Sequence, residues 1–221
     1  MKTKQRTAAL LGAFLLLGAV FPSFCVAQEL LPDLPKEQTA LYCDVSADDW
    51  FYDDVLAVTQ AGLFQGDNGA FLPYARLSRA MAAQLLYRCS EEPVLSAAPQ
   101  GYSDVAEGAW YYEAVCWLTA EHIAEGYDDG TFRPQAPLTR EQLAVLLYHY
   151  ERQNGLEGEN KGEALTFSDA ASIHSYALDA MDWAVSAGIL RGSGTLLRPN
   201  APVTRAEAAA VFHRWMNLKS E

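Results

Sequence analysis

The sequence predicts an all-α protein built from three copies of one helix–loop–helix unit. Three times, a Ser/Thr–Arg pair opens an apolar helix, and a proline lies six residues before the arginine. Roughly 60 to 65 residues separate successive copies, and a fixed period of this kind is the signature of an internal repeat. The three copies occupy residues 73–79, 134–140 and 199–205. Any site on one unit is therefore expected, in some form, on the others.

The helix that follows each arginine is the clearest element of the unit. Positions three, six, seven and ten after the arginine form the apolar face of an amphipathic helix, in the same register each time. These positions are Ala82, Leu85, Leu86 and Cys89; Leu143, Leu146, Leu147 and Tyr150; and Ala208, Val211, Phe212 and Trp215. Thr139 with Gln142, and Thr204 with Glu207, have the spacing of capping boxes, whereas Ser78 caps its helix without such a partner.

A shorter helix opens each unit, and a glycine loop joins it to the second helix. An aromatic residue and an aspartate begin each unit, and an aspartate at that point suits a helix N-cap or a turn. Asn-Gly and Asp-Gly pairs mark tight turns in the loops. We expect Phe71 and Phe132 to anchor the loops in the core. Where the first helix ends, Gly62 and Gly188 suit a left-handed C-cap. In repeat 2, either His122 adopts that turn at some cost or the turn differs.

Residues 1–27 have the layout of a secretory signal peptide. A start that contains Lys2, Lys4 and Arg6 precedes an apolar run and a small-residue stretch that ends at Ala27. The run is short for a membrane span, so we expect an exported chain with no membrane insertion after cleavage. The remaining segments are predicted as an N-terminal linker (28–41), repeat 1 (42–90), a linker (91–100), repeat 2 (101–151), a linker (152–165) and repeat 3 (166–217).

The chain is strongly acidic, with a formal net charge of −12. Removal of the three basic residues of the signal peptide would take the net charge to about −15. This charge disfavours nucleic acids and anionic membrane surfaces as partners, because both are bound through basic patches. An anionic polymer would have to be held by local cations in pockets.

The cysteines and histidines form no motif for a metal, a cofactor or a catalytic centre. Cys43, Cys89 and Cys116 remain after cleavage, and an odd count leaves at least one thiol unpaired within the chain. Cys43 and Cys89 could form a bridge that closes repeat 1, or all three could be free thiols. The four histidines lack metal-ligand spacing. Because no nucleophile elbow or phosphate loop is present, we expect a protein that is not an enzyme and needs no metal or cofactor.

The three arginines occupy an unusual place. If Ser/Thr is the N-cap, then Arg79, Arg140 and Arg205 are the first helical residues, where the helix dipole disfavours a cation by about 0.3–1 kcal/mol. A bound anion would compensate, because backbone N–H groups and a guanidinium together bind a carboxylate or phosphate. An internal salt bridge to the aspartate that opens a unit would compensate equally well. The residues alone leave both interpretations open.

Repeat 2 carries a dense set of motif residues. They are Tyr102-Ser103-Asp104-Val105, Trp110, Ala114-Val115, Gly126-Tyr127-Asp128-Asp129-Gly130-Thr131-Phe132-Arg133-Pro134 and Thr139-Arg140-Glu141-Gln142. Repeat 3 ends in Thr204-Arg205-Ala206-Glu207. This pattern resembles the S-layer homology (SLH) domain, and the resemblance covers about 175 of the 221 residues.

The resemblance implies a pseudo-trimer in which the first helices form a central three-helix bundle and the second helices lie outside. It also implies that grooves between adjacent repeats bind a secondary cell-wall polysaccharide attached to peptidoglycan, typically through a pyruvylated sugar whose carboxylate faces the arginine. On this basis, the expected polysaccharide-binding residues are Arg140, Arg205, Arg79, Trp110, Trp50, Tyr176, Asp104, Asp44, Asp169, Gly126, Gly66 and Gly192.

The copies depart from the family pattern to different degrees. Repeat 1 reads Ser78-Arg79-Ala80-Met81 and has a shortened loop. Repeat 3 has Tyr176 in place of the tryptophan and lacks most of the Asp-Gly-Thr-Phe loop. Arg140 and Arg205 are therefore stronger candidates than Arg79.

Two functions of different class follow. The first is a non-covalent anchoring module of a bacterial envelope, secreted to the cell wall or cell surface, associated with the S-layer and able to carry a protein cargo that the sequence does not identify. The second is a structural or protein-interaction role at the surface, with degenerate grooves, internally paired arginines and no glycan binding.

Overall fold

The computed structural model of the protein describes residues 41–91, 93, 101–155 and 162–219. The predicted signal peptide and nearly all of the N-terminal linker lie outside these residues, as do parts of both linkers between repeats. Within the described part of the chain, no helix is long and apolar enough to cross a membrane.

Six α-helices, two in each repeat, confirm the prediction of an all-α fold. They are α1 (Tyr52–Gln60), α2 (Arg79–Cys89), α3 (Tyr112–Ala120), α4 (Arg140–Gln153), α5 (Leu178–Ser186) and α6 (Arg205–Leu218). Three short 3-10 turns precede α5. The described residues contain isolated β-bridges but no strand.

The caps of the second helices are those that the sequence predicts. The Thr139 hydroxyl accepts a bond from the Gln142 amide, and the Gln142 side chain accepts the Thr139 amide in return. Thr204 and Glu207 form the same capping box, while Ser78 caps α2 through its hydroxyl alone. Each second helix therefore begins at the predicted arginine.

The loop predictions are also confirmed. Phe71 and Phe132 are buried. His122 has a φ of +53°, in the left-handed region that Gly62 and Gly188 occupy in the other repeats. A side chain in that conformation costs about 1–2 kcal/mol, so repeat 2 keeps the turn at the expense of strain.

The repeats interlock in a cycle. Each first helix packs against the second helix of the preceding repeat, so that α3 packs on α2, α5 on α4 and α1 on α6. The last of these contacts joins repeat 3 to repeat 1. The three repeats therefore form a closed pseudo-trimer rather than an open stack.

Three backbone hydrogen bonds form a ring at the centre of this pseudo-trimer. Leu77 N donates to Val203 O at 2.8 Å, Val203 N donates to Leu138 O at 2.9 Å, and Leu138 N donates to Leu77 O at 2.9 Å. The three side chains are buried. Because each residue directly precedes the cap of a second helix, the ring fixes the three helix starts relative to one another.

The second helices, not the first, meet at the centre of the pseudo-trimer, so the prediction that the first helices form a central bundle is wrong. Among the described helices α2 contacts α4, whereas no two first helices contact each other. The C-terminal ends of the second helices meet: Ser90 Oγ donates to Tyr150 Oη at 3.1 Å, and the Tyr150 ring packs edge-on against Trp215 at 5.3 Å. Trp215 Nε1 in turn donates to Glu151 at 2.9 Å. In repeat 1, seven of the eleven residues of α2 are buried, against two of the nine in α1.

The aspartates that open the repeats hold the loops and do not cap helices. Asp104 accepts backbone bonds from Phe132 N and Arg133 N, both at 2.8 Å. Asp44 and Asp169 accept the equivalent pair in repeats 1 and 3. Arg133 has a left-handed φ of +57° directly before proline, a conformation that costs about 1–3 kcal/mol. The carboxylate thus stabilises a strained loop.

The cysteines are free thiols, and the bridge between Cys43 and Cys89 is not formed. Cys43 is exposed beside the glycine loop, where its N–H donates to Gly69 O at 2.9 Å. Cys89 lies at the other end of the repeat, as the last residue of α2. Burial raises the pKa of Cys89 to about 12, and burial also raises the pKa of Cys116.

We expect N-ethylmaleimide to modify Cys43 much faster than Cys89 or Cys116 in the native protein. The thiolate is the reactive form, and burial keeps the other two thiols protonated. A timed pulse of reagent followed by peptide mass spectrometry measures each site, and unfolding in urea should bring the three rates together. Recovery of a Cys43–Cys89 disulfide peptide would contradict the free-thiol state.

Candidate functional site

The arginines at the starts of the second helices bind backbone carbonyls of the next repeat. Arg79 Nε donates to Phe132 O at 3.0 Å, and Arg79 Nη2 donates to Glu125 O at 3.1 Å. The corresponding bonds run from Arg140 to Leu197 O and Arg191 O at 2.8 and 2.7 Å, and from Arg205 to Phe71 O and Gln65 O at 2.7 and 2.9 Å. Each arginine thus ties its own repeat to the next one.

The first N–H groups of these helices are also bonded within the protein. Arg79 N donates to Ala136 O at 3.0 Å and Ala80 N donates to Pro134 O at 2.9 Å, and α4 and α6 begin with the same two bonds. The helix starts therefore offer neither of these N–H groups to an anion. Within the described residues, the arginines make no salt bridge to the aspartates either. Carbonyl oxygens compensate for the helix dipole instead, since a hydrogen bond from a charged donor contributes about 1.5–3 kcal/mol.

Each of these arginines lines a cavity, and one nitrogen of its guanidinium group has no hydrogen bond within the described residues. Its Nε and Nη2 are bonded, and Nη1 makes no hydrogen bond within the described residues. Burial lowers the pKa of all three arginines, although a guanidinium stays charged in proteins. Arg79 and Arg205 also lie over the rings of Phe132 and Phe71, at 4.6 and 4.7 Å. Arg140 faces Leu197 at that place, so its charge has no aromatic partner there.

Each of the three arginines lines a cavity between the repeats, and each of these cavities is built from all three repeats. One repeat supplies the arginine, the next supplies the glycine loop, and the third supplies the aromatic residue that precedes its first helix. The Arg140 groove contains Gly192 and Trp50 (about 300 Å³), the Arg205 groove contains Gly66 and Trp110 (about 560 Å³), and the Arg79 groove contains Gly126 and Tyr176 (about 250 Å³). Nine of the twelve predicted binding residues therefore line these grooves, with one arginine, one glycine and one aromatic residue in each groove.

The three predicted aspartates do not line these grooves. Asp44, Asp104 and Asp169 bind the N–H groups of the residues whose carbonyls accept the arginine Nε bonds. The aspartates thereby help to position the carbonyl groups that accept the arginine bonds. Backbone hydrogen bonds, first of all from Leu197 N, lower the pKa of Asp169. In the described part of the chain, no group of three or more His, Cys, Asp or Glu side chains is arranged to hold a metal ion.

The groove glycines are required because an aromatic ring lies against them. A Cβ at Gly126 would overlap the Tyr102 ring and come within 2.8 Å of Thr131 O. Gly66 and Gly192 face the opening aromatic residues of their own repeats in the same way. The glycine therefore lets the opening aromatic residue pack under the loop while the loop forms one wall of the groove.

The grooves differ most in charge. The charged residues of the Arg140 groove are Arg140, Arg191, Arg198, Arg214 and Glu207. An ion pair at 3.1 Å joins Arg198 to Glu207, and within the described residues the other three arginines have no salt-bridge partner. The Arg205 groove has two arginines and one aspartate, and the Arg79 groove has one arginine and one glutamate beside two histidines. Burial first, and the neighbouring Arg191 second, lower the pKa of Arg214.

The additional cations of the Arg140 groove were not predicted from the sequence. Arg191 directly precedes the groove glycine, and Arg198 directly precedes the motif proline, so their adjacency to the motif was an available signal. Arg214 lies nine residues after Arg205, and the same position in the other repeats is Arg88 and His149. All three of these residues line grooves, so this helical position faces a cavity in each copy.

Comparison with known proteins gives the family. A family model described as the S-layer homology domain matches residues 42–83, 101–144 and 166–209, which together are more than half of the chain. The chain belongs to the S-layer homology family. The three matched SLH segments contain the first helix of each repeat and the first five residues of each second helix.

Individual relatives are much longer than this SLH protein. It is 34% identical over 165 residues to the surface-layer 125 kDa protein of Lysinibacillus sphaericus, which covers 72% of this chain and 13% of that one. It is 25% identical over 150 residues to the cellulosome-anchoring protein of Acetivibrio thermocellus, covering 66% and 33%. It is 37% identical over 114 residues to the amylopullulanase of Thermoanaerobacterium thermosulfurigenes, covering 51% and 6%. The chain thus spans at most a third of these relatives, and the match to the enzyme concerns a small part of its length.

Membership of the SLH family identifies the chain as a cell-surface anchoring module. The prediction of a cell-wall or cell-surface location is confirmed by the same comparisons. The grooves between its repeats are the candidate sites of attachment.

We expect Arg79→Ala to lower the free energy of unfolding by about 2–4 kcal/mol, because two bonds from a charged donor to repeat 2 are lost. Urea unfolding followed by circular dichroism measures the change. Arg76→Ala, at an exposed arginine of the same segment, is the matched control and should stay within about 0.5 kcal/mol of the parent. Equal stability of the two variants would show that the carbonyl bonds do not hold the repeats together.

We expect Gly126→Ala to destabilise the protein by about 1–3 kcal/mol, because the new methyl group overlaps the Tyr102 ring. Gly108→Ala is the control, since a Cβ at Gly108 meets no atom within 4 Å. The difference between their urea midpoints measures the effect of the ring. If both midpoints match that of the parent, the close contact between the Tyr102 ring and the loop is not the reason that position 126 requires glycine.

Proposed function

We propose that this chain attaches non-covalently to a secondary cell-wall polysaccharide, and that its Arg140 groove binds an anionic group of that polymer. The observation that carries the proposal is the concentration of charge. Arg140, Arg191 and Arg214 line one cavity without a salt-bridge partner among the described residues, in a chain of net charge −12. Clustered like charges raise the free energy of the empty groove, and a bound anion relieves it.

The composition of the groove favours a carboxylate attached to a sugar. A guanidinium forms strong, charge-assisted hydrogen bonds with a carboxylate, and Nη1 of Arg140 makes no hydrogen bond within the described residues. Trp50 is 62% exposed at the same cavity, and an aromatic face buries the apolar C–H surface of a sugar ring. A sugar that carries a pyruvyl ketal has both a carboxylate and an apolar ring surface. A pyruvylated sugar is also the ligand that the family resemblance implies.

The names of two relatives agree with an anchoring role. One is a surface-layer protein and another is a cellulosome-anchoring protein. By analogy we propose that the anchored material is a protein cargo, held at the cell wall by a binding module that performs no catalysis. The absence of turnover on wall glycans would be the corresponding result in an activity assay.

The other two grooves support this role unequally. The Arg205 groove repeats the design with Trp110 and a second arginine, Arg88, so we propose it as a further polymer site. In the Arg79 groove, Tyr176 Oη donates to Glu141 at 2.9 Å, and burial, followed by Glu141, raises the pKa of Tyr176 to about 12. The aromatic residue of that groove is engaged within the protein, which favours a structural role for Arg79.

We expect a Trp50→Ala/Arg191→Ala double variant to bind purified sacculi at least about tenfold more weakly than the parent, a loss of about 1.4 kcal/mol or more. Both side chains are exposed, so the fold should survive, and circular dichroism checks this. Arg76→Ala/Leu165→Ala is the matched control, because it removes an exposed arginine and an exposed apolar side chain that line none of the three grooves. Unchanged sedimentation of the Trp50→Ala/Arg191→Ala variant would remove the Arg140 groove from the proposal.

Removal of pyruvyl ketals from the sacculi tests the anion itself. We expect the parent protein to lose most of its binding to the treated sacculi, because the carboxylate that faces the arginines is gone. Mock-treated sacculi are the control. Full binding to ketal-free sacculi would exclude the pyruvyl carboxylate as the group that the groove recognises.

A further inference from the structure

One position of the second helix makes the same contact in all three repeats, although its residue differs. The position lies nine residues after the motif arginine, and its side chain bonds to the carbonyl oxygen that follows the left-handed turn of the first helix. The bonds join Arg88 Nη1 to Leu63 O at 2.7 Å, Arg214 Nη1 to Ile189 O at 3.1 Å, and His149 Nδ1 to Ile123 O at 3.1 Å. Repeat 2 therefore has histidine in the place of an arginine that lines a groove in the other repeats.

His149 is the residue at this position whose charge depends on pH. An arginine stays charged in proteins, whereas a histidine gains its charge in mildly acidic solution. The carbonyl oxygen of Ile123 can only accept a hydrogen bond, so Nδ1 of His149 carries the hydrogen of that bond. The second proton therefore goes to Nε2, which makes no hydrogen bond within the described residues. Proton uptake leaves the bond to Ile123 in place and adds a charge to a residue that lines the Arg79 groove.

The Arg79 groove has no net formal charge until its histidines are protonated. Its charged and titratable lining residues are Arg79, His122, Glu125, Tyr127, His149 and Tyr176. The charges of Arg79 and Glu125 cancel, and the tyrosines are neutral in this pH range. Behind Tyr176, the buried Glu141 accepts bonds from Tyr176 Oη and from His174 Nδ1, at 2.9 and 2.7 Å. The groove thus changes from neutral to cationic when His122 and His149 gain protons.

Protonation of His149 and binding of an anion favour each other. Arg79 and a protonated His122 oppose a further positive charge in the groove, whereas Glu125 favours it. A bound anion adds a second favourable charge. Since linkage is reciprocal, the anion increases proton uptake by the same factor by which the proton increases anion affinity. The Arg140 groove has no histidine in its lining and has Arg214 at the equivalent position, so it is cationic throughout the same pH range.

We propose that His149 makes anion binding by the Arg79 groove depend on pH, so that the groove binds an anionic group of the polymer in mildly acidic solution and releases it in neutral solution. The proposal rests on the proposed function and adds its regulation. Arg79 keeps its two carbonyl bonds, and with them its structural role, in both states. The protein thereby combines one permanent anion site with one that acid switches on.

Nuclear magnetic resonance measures the two grooves separately in one titration. The probe is a synthetic pyruvylated monosaccharide glycoside. The ring signals of His149 report the Arg79 groove, and the indole N–H of Trp50 reports the Arg140 groove. The probe stays ionised at both about pH 5.5 and about pH 7.5, because carboxyl groups titrate near about pH 4. We expect the Kd of the Arg79 groove to be about tenfold lower at the lower pH, and the Kd of the Arg140 groove to be unchanged.

Three variants test the role of His149. His149→Arg should bind the probe in the Arg79 groove equally tightly at both pH values, because it restores the arginine of the other repeats. His149→Gln keeps a donor for Ile123 O and should bind weakly at both. His213→Gln is the matched control, since His213 lines none of the three grooves, and it should keep the pH dependence of the parent. Circular dichroism checks the fold of each variant.

The parent protein alone supplies a second test, and the outcomes distinguish the two proposals. Saturating probe should increase the protonated fraction of His149 at about pH 6.5, and an unchanged fraction would refute the switch. If Trp50 responds to the probe and His149 does not at either pH, this inference is refuted and the Arg140 groove stands. If His149→Gln keeps the pH dependence and His122→Gly abolishes it, His149 is not the switch. If neither groove responds, the proposed function fails and this inference falls with it.

Discussion

The bonds that each repeat makes to the other two, at and just before the start of its second helix, hold this structure together. An α-helix leaves its first N–H groups without partners inside the helix. Here the first two go to carbonyls of the next repeat, and the residue before the cap joins the central ring of Leu77, Leu138 and Val203. The arginine side chain adds two more bonds in the same direction. The recurrent proline and arginine thus belong to the same contact between repeats. The carbonyl oxygen of the proline in one repeat accepts a hydrogen bond from the residue that follows the arginine in another.

Local features of the fold could be predicted from sequence, and relations between repeats could not. The capping box at Thr139 depends on residues three positions apart, so a single helix reveals it. The partner of Arg140 is a carbonyl group, which every residue possesses. The acceptors of the three arginines include Glu125, Arg191 and Gln65, side chains with nothing in common. The central position of the second helices was missed for a related reason, because amphipathic periodicity identifies a buried face but not how many neighbours cover it.

The three grooves show how a repeated site becomes unequal. Each arginine is retained, yet the strongest cationic character comes from repeat 3, which supplies Arg191, Arg198 and Arg214. At the place of Arg191 the other repeats have Gln65 and Glu125. A comparison with the family motif ranks the three copies by whether they retain the motif residues around the arginine and the tryptophan. The structure ranks them by what surrounds these residues, because all three repeats contribute to each groove.

The closed cycle of repeats also limits how the strength of attachment can change. In an open solenoid, a further repeat stacks on the end and lengthens the binding surface. Here repeat 3 already contacts repeat 1, so a fourth repeat has no free face on which to dock. A protein of this design gains valence by adding another complete set of three, joined by a linker. Avidity would then rise in whole steps, by the effective concentration that the linker imposes, rather than gradually with chain length.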